Sequence, residues 1–308
     1  MRTAAVVVTW EGGAATERCV ESLLAQDRPP AEIVVVDNAS GETERARLRA
    51  GPGTRPGVRL LLLEENRQFA GGLNAGARAA FAAGADAVLL LNNDTVVAPD
   101  ALGRLAAALE GARGAGIAGP RVLDLQQPTH VLSAGERHSL PLLCVPRTLL
   151  RYRRQGAAPY AVTGVMGCAL LVTRACFEAV GGFSEDIAVY YEDVDFCLTA
   201  RGRGFGAVIA PDAVVYHDGL RGFLSGLTPW AAYLKARNPW LVVRRHGGAA
   251  AMVAFVPVYA AMLATSALGY AVRRRGDIVA AMGRGALAGA AVAFGATPQP
   301  VAAPRPGR

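Results

Sequence analysis

The sequence predicts an α/β protein, a doubly wound sheet in the main part of the chain with a helical, basic extension behind it. Three observations carry this. Short, nearly continuous apolar runs occupy residues 4–9, 32–36, 58–63 and 87–91, as in strands buried on both faces of a parallel sheet. Helical stretches separate them, and strand alternating with helix is the pattern of right-handed crossovers. The 308 residues are 52% hydrophobic and 19% charged, which suits one large domain with an appendage and is too apolar for a disordered chain.

The first run, 4–9, meets polar Glu11-Gly12-Gly13, so it reads as a strand and no signal peptide is expected. A helix is expected at 16–24, the second strand at 32–36 and the third at 58–63. An alanine-rich helix is expected at 71–83, before the fourth strand at 87–91. Ligands bind at the carboxyl ends of such strands, and polar residues gather there. Thr9, Trp10 and Glu11 follow the first strand, Asp37 to Ser40 the second, and Asn92, Asn93 and Asp94 the fourth. Asp and Asn also make turns and helix caps, and that reading weakens as the clusters multiply along one edge.

No G-x-G-x-x-G follows the first strand and no Walker A sequence is present; the glycine-rich run at 71–76 lies after the third strand. A dehydrogenase-type dinucleotide site is therefore disfavoured. Residues 111–160 show weak periodicity, and 126–160 read as a loop-rich excursion. Residues 162–173 read as one strand, with Gly164 and Gly167 allowing close approach of other backbone. Residues 177–183 read as a helix ended by glycine.

Residues 184–197, SEDIAVYYEDVDFC, hold five acidic residues. A helix starting near Glu192 has its acids at the N-terminus, where the dipole favours them. The other reading is a carboxylate aimed into a cleft as general base. Two short strands are expected at 207–210 and 213–216, with His217 and Asp218 directly after. His217 is either structural or a metal ligand beside the cleft carboxylates.

Charge is uneven. Net charge is +7 overall, but residues from Lys235 onward carry +9, leaving −2 on 1–234. A uniformly basic nucleic-acid binder is excluded. Five scattered cysteines without a CxxC pair read as reduced thiols of a cytosolic protein. Residues 247–272 contain no charge and are flanked by Arg244-Arg245 and Arg273-Arg274-Arg275. The length suffices for a membrane span, but alanine, Pro257, Thr265 and Ser266 dilute it. A helix at a membrane face or docked on the main domain is preferred to a span. A second such helix is expected at 280–293, and the proline-rich 297–308 as a disordered tail.

Seven segments in fixed order, VVVTW at 6–10, EIVVVDNAS at 32–40, ENRQFAGGLNAG at 65–76, LLLNNDTVV at 89–97, MGCALLVTR at 166–174, GGFSEDIAVYYEDVDFC at 181–197 and VVYHDG at 214–219, resemble family-2 glycosyltransferases of the GT-A fold, in the branch with bacterial rhamnosyltransferases. The resemblance covers about residues 3–245. It implies an inverting transferase that takes a sugar from a nucleotide diphosphate donor, with dTDP-rhamnose and a UDP-sugar as the candidate donors. It implies Asp193 as the base with Glu192 beside it, Asp94 and His217 at a divalent cation (Mn²⁺ or Mg²⁺), and Asp37 at the nucleoside. Thr9, Glu11, Asn66, Asn74 and Asn92 join the donor-binding set. The family's D-x-D is Asn92-Asn93-Asp94 here, its aromatic-Asn pair is Trp10-Glu11, and Gln68 stands where the family has glycine.

The expected division is a catalytic domain at 1–235, a basic helical extension at 236–295 and a tail at 296–308. The expected acceptor is a polyprenyl-linked or other cell-envelope glycan met at an anionic membrane, with the enzyme peripheral on the inner face of the cell membrane. Alternatives are transfer to a soluble metabolite and a noncatalytic nucleotide-sugar-binding module; intact Asp193 and His217 speak against the module.

Overall fold

The computed structural model describes residues 1–144, 156, 158–218, 227–298 and 301. Its centre is one sheet in the order β3-β2-β1-β4-β9-β6-β10-β5, with β7 on β6 and β8 on β10. The first four strands, β1 (Thr3–Thr9), β2 (Ile33–Asp37), β3 (Val58–Leu62) and β4 (Ala87–Asn92), are parallel. They are the four expected from their apolar runs. The helices α1 (Ala14–Leu24), α2 (Glu42–Ala50) and α3 (Gln68–Ala82) alternate with them.

Beyond β4 the sheet is mixed. Strand β9 (Ala169–Thr173) runs antiparallel to both β4 and β6 (Ala115–Asp124). Strand β10 (Gly206–His217) is parallel to β6. The short β5 (Thr95–Val97) follows β4 in sequence yet pairs with the far strand β10, Thr95 opposite His217. That excursion matters for the site, because it carries the chain after β4 across to the end of β10.

Period-two alternation along β1 splits the core. Val6 and Val8 face one apolar layer with Leu73, Ala77 and Phe81 of α3. Ala5 and Val7 face another with Cys19, Val20 and Leu23 of α1 and with Leu102 and Leu105 of α4 (Ala101–Gly111). Each fully buried large apolar side chain contributes about 1.5–3 kcal/mol. The glycine-rich run lies inside α3. A Cβ on Gly76 would stand 2.4 Å from Val6, and one on Gly72 2.7 Å from Val8. These glycines therefore let helix and sheet approach closely.

Several expectations are corrected. The single strand expected at 162–173 is two: β8 (Tyr160–Val162) ends before a turn, and β9 begins at Ala169. The two strands expected at 207–216 are one, β10, with an irregularity between Ala210 and Val214. Strand β6 lies within the stretch read as weakly periodic. Its Gly119 packs under Val165 with no room for a Cβ, and Pro120 interrupts the apolar run, so neither periodicity stood out. The excursion at 126–160 contains β7 (Val131–Ser133); residues 145–155 and 157 of it lie outside the described residues. The helix expected at 177–183 is α5 (Arg174–Val180), closed by Gly181 at φ 88°. Of the tail expected to be disordered, residues 299–300 and 302–308 lie outside the described residues.

The C-terminal part is three helices: α7 (Pro229–His246), α8 (Ala249–Val272) and α9 (Gly276–Ala293). The first of these was not expected, and it runs across position 235. Helix α9 lies tightly on α7: a Cβ on Gly285 would meet the Tyr233 carbonyl oxygen at 2.2 Å, and one on Gly289 the Arg237 carbonyl oxygen at 2.6 Å. Trp240 of α7 packs edge-on against Phe255 and Tyr259 of α8. The same cluster includes Ile187 and Val194, so the helices share a core with the acidic segment. Among the described residues, α8 and α9 are two helices long and apolar enough to cross a membrane by length and composition.

Candidate functional site

A cleft of ≈ 510 Å³ opens at the carboxyl ends of β1, β2 and β4, where a parallel sheet presents strand-end residues and backbone to a ligand. Of the residues singled out in the sequence, Thr9, Asn66, Asn92, Asp94, Glu192, Asp193 and His217 line it. Asp37, Glu11 and Asn74 do not. The Asp37 carboxylate is buried, takes a hydrogen bond from the Ser40 amide and pairs with Arg45 at 2.8 Å. Glu11, at φ 52°, accepts from the Gly41 amide through its side chain, and its own amide donates to Ser40 Oγ. Asn74 bridges α3 to the Phe183 backbone, donating to its carbonyl and accepting from its amide.

One lip of the cleft is the end of β4 and β10. The turn at Asn92–Asp94 delivers the chain to β5, whose pairing with β10 brings His217 back to it. His217 Nε2 lies 3.2 Å from Asp94 Oδ1 and 3.4 Å from Asn92 Nδ2. Burial raises the Asp94 pKa, but the interaction with His217 outweighs it and holds the carboxyl below its ordinary range. Asn92 Oδ1 and His217 Nδ1 are buried and have no hydrogen-bond partner. No group of three or more His, Cys, Asp or Glu side chains is arranged to hold a metal ion among the described residues. One carboxylate, one imidazole and one amide oxygen form an incomplete donor set. That fits a divalent cation whose remaining ligands come from water or from phosphate oxygens of a bound substrate.

The other lip is the start of α6 (Glu192–Gly202). Glu192 and Asp193 are both buried. Asp193 Oδ2 accepts from the Gly167 amide at 2.9 Å and Oδ1 from the Val194 amide at 2.8 Å. Gly167 is required there, since a Cβ would stand 2.9 Å from Asp193 Cβ. The sequence marked Gly167 as a place of close approach; what approaches is the Asp193 side chain, at a turn rather than within a strand. The carboxylate is fixed in direction by these two amides and lines the same cleft as Asp94. Cys168 also lines the cleft, but burial, reinforced by Asp94, Asp193 and Glu136, raises its thiol well above the ordinary range. It is a neutral thiol and not a nucleophile.

Four further residues of the cleft were not among the candidate site residues, although Asn38, Val189 and Tyr190 lie within the segments already marked. Asn38 ties its floor together, donating to the Gln68 carbonyl and accepting from the Arg67 amide. Val189 and Tyr190 belong to the acidic segment, and Trp230 enters from α7. The Tyr190 and Trp230 rings lie 6.4 Å apart. Trp230 lies outside the seven motif segments, and only the fold brings it to the cleft.

The family described as "Glycosyltransferase like family 2" matches residues 2–247. The dTDP-rhamnosyl transferase RfbF of Shigella flexneri is 24% identical over 224 residues, 70% of this chain and 71% of that protein. The N-acetylglucosaminyl-diphospho-decaprenol L-rhamnosyltransferase of Mycobacterium tuberculosis is 29% identical over 255 residues, 76% of this chain and 80% of that protein. Among solved structures, the mannosyltransferase PcManGT from Pyrobaculum calidifontis, in complex with GDP-Man and Mn²⁺, aligns with a TM-score of 0.57 at 20% identity, covering 94% of this chain and 87% of that one. GalNAc-T7 with UDP, GalNAc and Mn²⁺ aligns with a TM-score of 0.55 at 18% identity; this chain spans about half of it, 51%. These likenesses identify the sheet and its helices as a GT-A fold.

Proposed function

The chain belongs to the family-2 glycosyltransferases, and from that premise we propose that it transfers a sugar from a nucleotide diphosphate donor to a hydroxyl of a lipid-linked cell-envelope acceptor, with inversion. The observation that carries this reading is the cleft itself: a backbone-held carboxylate, Asp193, and an Asp94–His217 pair both line it. In this reading the donor lies against Thr9, Asn38, Asn66 and Asn92, its diphosphate toward Asp94 and His217. Asp37, Glu11 and Asn74 act through the walls, Asp37 and Glu11 by holding the turn at Ser40 and Asn74 by holding the Phe183 backbone.

Asp94 and His217, with Asn92 beside them, would hold Mn²⁺ or Mg²⁺. Such an ion, when bound, neutralises charge developing on the leaving diphosphate. Asp193 takes the proton of the acceptor hydroxyl as that oxygen attacks the anomeric carbon from the face opposite the leaving group. One displacement of this geometry inverts the centre. Glu192 lies beside the base, on the same cleft wall. The rhamnosyl donor and decaprenol-linked acceptor printed in the names of the two relatives favour dTDP-rhamnose and a polyprenyl-linked glycan here. A screen of nucleotide sugars with Mn²⁺ and a polyprenyl-diphosphate-linked acceptor tests this. Turnover of one donor, lost in excess EDTA, is expected; no turnover of any donor rejects it.

The helical extension supports a place at the membrane. Val253, Val256, Leu268 and Val272 of α8 and Leu287 of α9 are exposed apolar side chains, and three arginines, 273–275, follow α8. In this reading the cytoplasmic enzyme rests these helices on the anionic inner face of the membrane, where a lipid-linked acceptor is met. Arg275 is paired with Asp277, so replacing Arg273 and Arg274 by Gln should weaken binding to anionic vesicles by about 2 kcal/mol, at about 1 kcal/mol each, and leave neutral vesicles unaffected. Equal binding of both proteins in co-sedimentation rejects electrostatic docking.

A further inference from the structure

The segment that leads into α6 has an unusual backbone. Ala188, Tyr190 and Tyr191 have φ of 63°, 62° and 73°. That region crowds Cβ against the carbonyl oxygen in L-residues, and it persists only where the surroundings hold it. The surroundings here are α7. Asn238 is fully buried, and its Nδ2 lies 2.9, 2.8 and 2.9 Å from the carbonyl oxygens of Ile187, Val189 and Tyr190. Buried Arg237 donates to the Asp186 carbonyl at 3.0 Å and to Asn238 Oδ1 at 3.2 Å, which orients the amide. At the end of the same helix, Arg245 and His246 reach the two oxygens of buried Asp195 at 2.7 and 2.8 Å. One helix thus grips the chain on both sides of Glu192 and Asp193.

We propose that Asn238 is a positioning residue for Asp193, and that α7 belongs to the catalytic apparatus rather than to an appendage. This rests on the reading of Asp193 as the base. Three carbonyls point inward because three residues are left-handed, and the two N–H groups of one amide are shared among them. An aliphatic side chain at 238 would take the donor from the half-buried Val189 and Tyr190 carbonyls, the Ile187 carbonyl keeping the Val189 amide, an unfavourable arrangement that the segment escapes by returning its φ angles to ordinary values. That relaxation moves the start of α6. The Asp193 carboxylate, fixed to α6 by the Val194 amide, moves with it and leaves the line to the acceptor oxygen. Donor contacts on Thr9, Asn66 and Asn92 belong to other elements and are unaffected.

The test uses full-length Asn238→Ala and Asn238→Ser, with hydrogen exchange, steady-state kinetics and calorimetric titration of UDP and dTDP in Mn²⁺. Exchange in 184–197 should quicken by at least about tenfold while that of β4 is unchanged, as a local opening requires. The kcat should fall by about 10–100-fold, the scale of a 1 Å misplacement, with nucleotide Kd and donor KM within about twofold. Unchanged exchange in 184–197 overturns the proposal. So does faster exchange at full kcat, or a loss of activity that only tracks a loss of folded protein. Should neither variant fold, wild-type exchange decides: 184–191 and 234–243 must open together, and a loop that opens while α7 stays closed overturns it. A wild-type protein that turns over no donor rejects the assignment of the base, and the exchange arm then still reports whether α7 holds the segment.

Discussion

The two lips of the cleft are built differently. The Asp193 lip is held from several directions: two backbone amides fix the carboxylate, Gly167 leaves it no spare room, and α7 grips the chain before and after it. The Asp94 lip is sparse. Its polar side chains mostly meet each other, and Asn92 Oδ1 and His217 Nδ1 are buried without a partner. A group that must aim at one hydroxyl gains from rigidity. Groups that must bind an ion and a diphosphate need donor atoms left available. The contrast separates one carboxylate, Asp193, whose two oxygens the protein's own amides hold, from a lip whose donor atoms are left for a ligand.

The largest effect should come from the rigid lip. Asp193→Asn keeps the size of the side chain and removes its basicity, and transfer should fall by about 10²–10⁴-fold, with nucleotide binding nearly unchanged by calorimetry. Near wild-type turnover would break the comparison and shift attention to Glu192 or Asp195. On the sparse lip, Asp94→Ala removes the acidic side chain that pairs with His217. The Mn²⁺ concentration for half-maximal activity should rise by at least about tenfold, given that even outer partners of a metal site affect affinity by about 10–100-fold. Full activity of the wild type in excess EDTA would leave Asp94 as a turn residue.

Gly167→Ala puts a methyl group 2.9 Å from Asp193 Cβ. We expect a loss of about 1–3 kcal/mol in stability from overpacking and a lower kcat at unchanged metal requirement, read by thermal melting and kinetics. A raised metal requirement instead would mean that the lips are coupled. The smallest effect sharpens the sparse side: Asn92→Asp adds a carboxylate where the family carries one and should lower the half-activating Mn²⁺ concentration by several-fold, since charge count tunes affinity in carboxylate sites. No change would show that the amide at 92 faces away from the ion.

Legibility in the sequence followed the kind of signal each residue leaves. The parallel half of the sheet was legible because β1, β2 and β4 are apolar on both faces, and that pattern depends on little besides burial. Strand β6 was hidden because Gly119 and Pro120 broke its apolar run, although the fold needs a small residue beneath Val165. Asp94, Asp193 and His217 were found by motif resemblance, at positions the fold then gathers on one cleft. Asp37, Glu11 and Asn74 carried the same kind of signal, and their side chains bond to neighbouring backbone instead of lining the cleft, because a motif marks a position and not the direction of its side chain. Asn38 was passed over within the cluster that included Asp37, and Trp230 had no motif at all.

By itself, the sequence determined the family, the parallel strands, the order in which the polar clusters follow them, and the concentration of positive charge after residue 234. These depend on local composition and spacing, which a chain carries wherever it folds. The tertiary structure alone decided which polar groups share a space. His217 meets Asp94 because β5 leaves β4 and pairs with β10; Asp193 points into the cleft because Gly167 arrives from another turn; and α7, outside the seven motif segments, binds three carbonyls of the segment before α6. Contacts of this kind join residues tens to more than a hundred positions apart, and their geometry is set by sheet order and helix packing, quantities no local pattern of residues encodes.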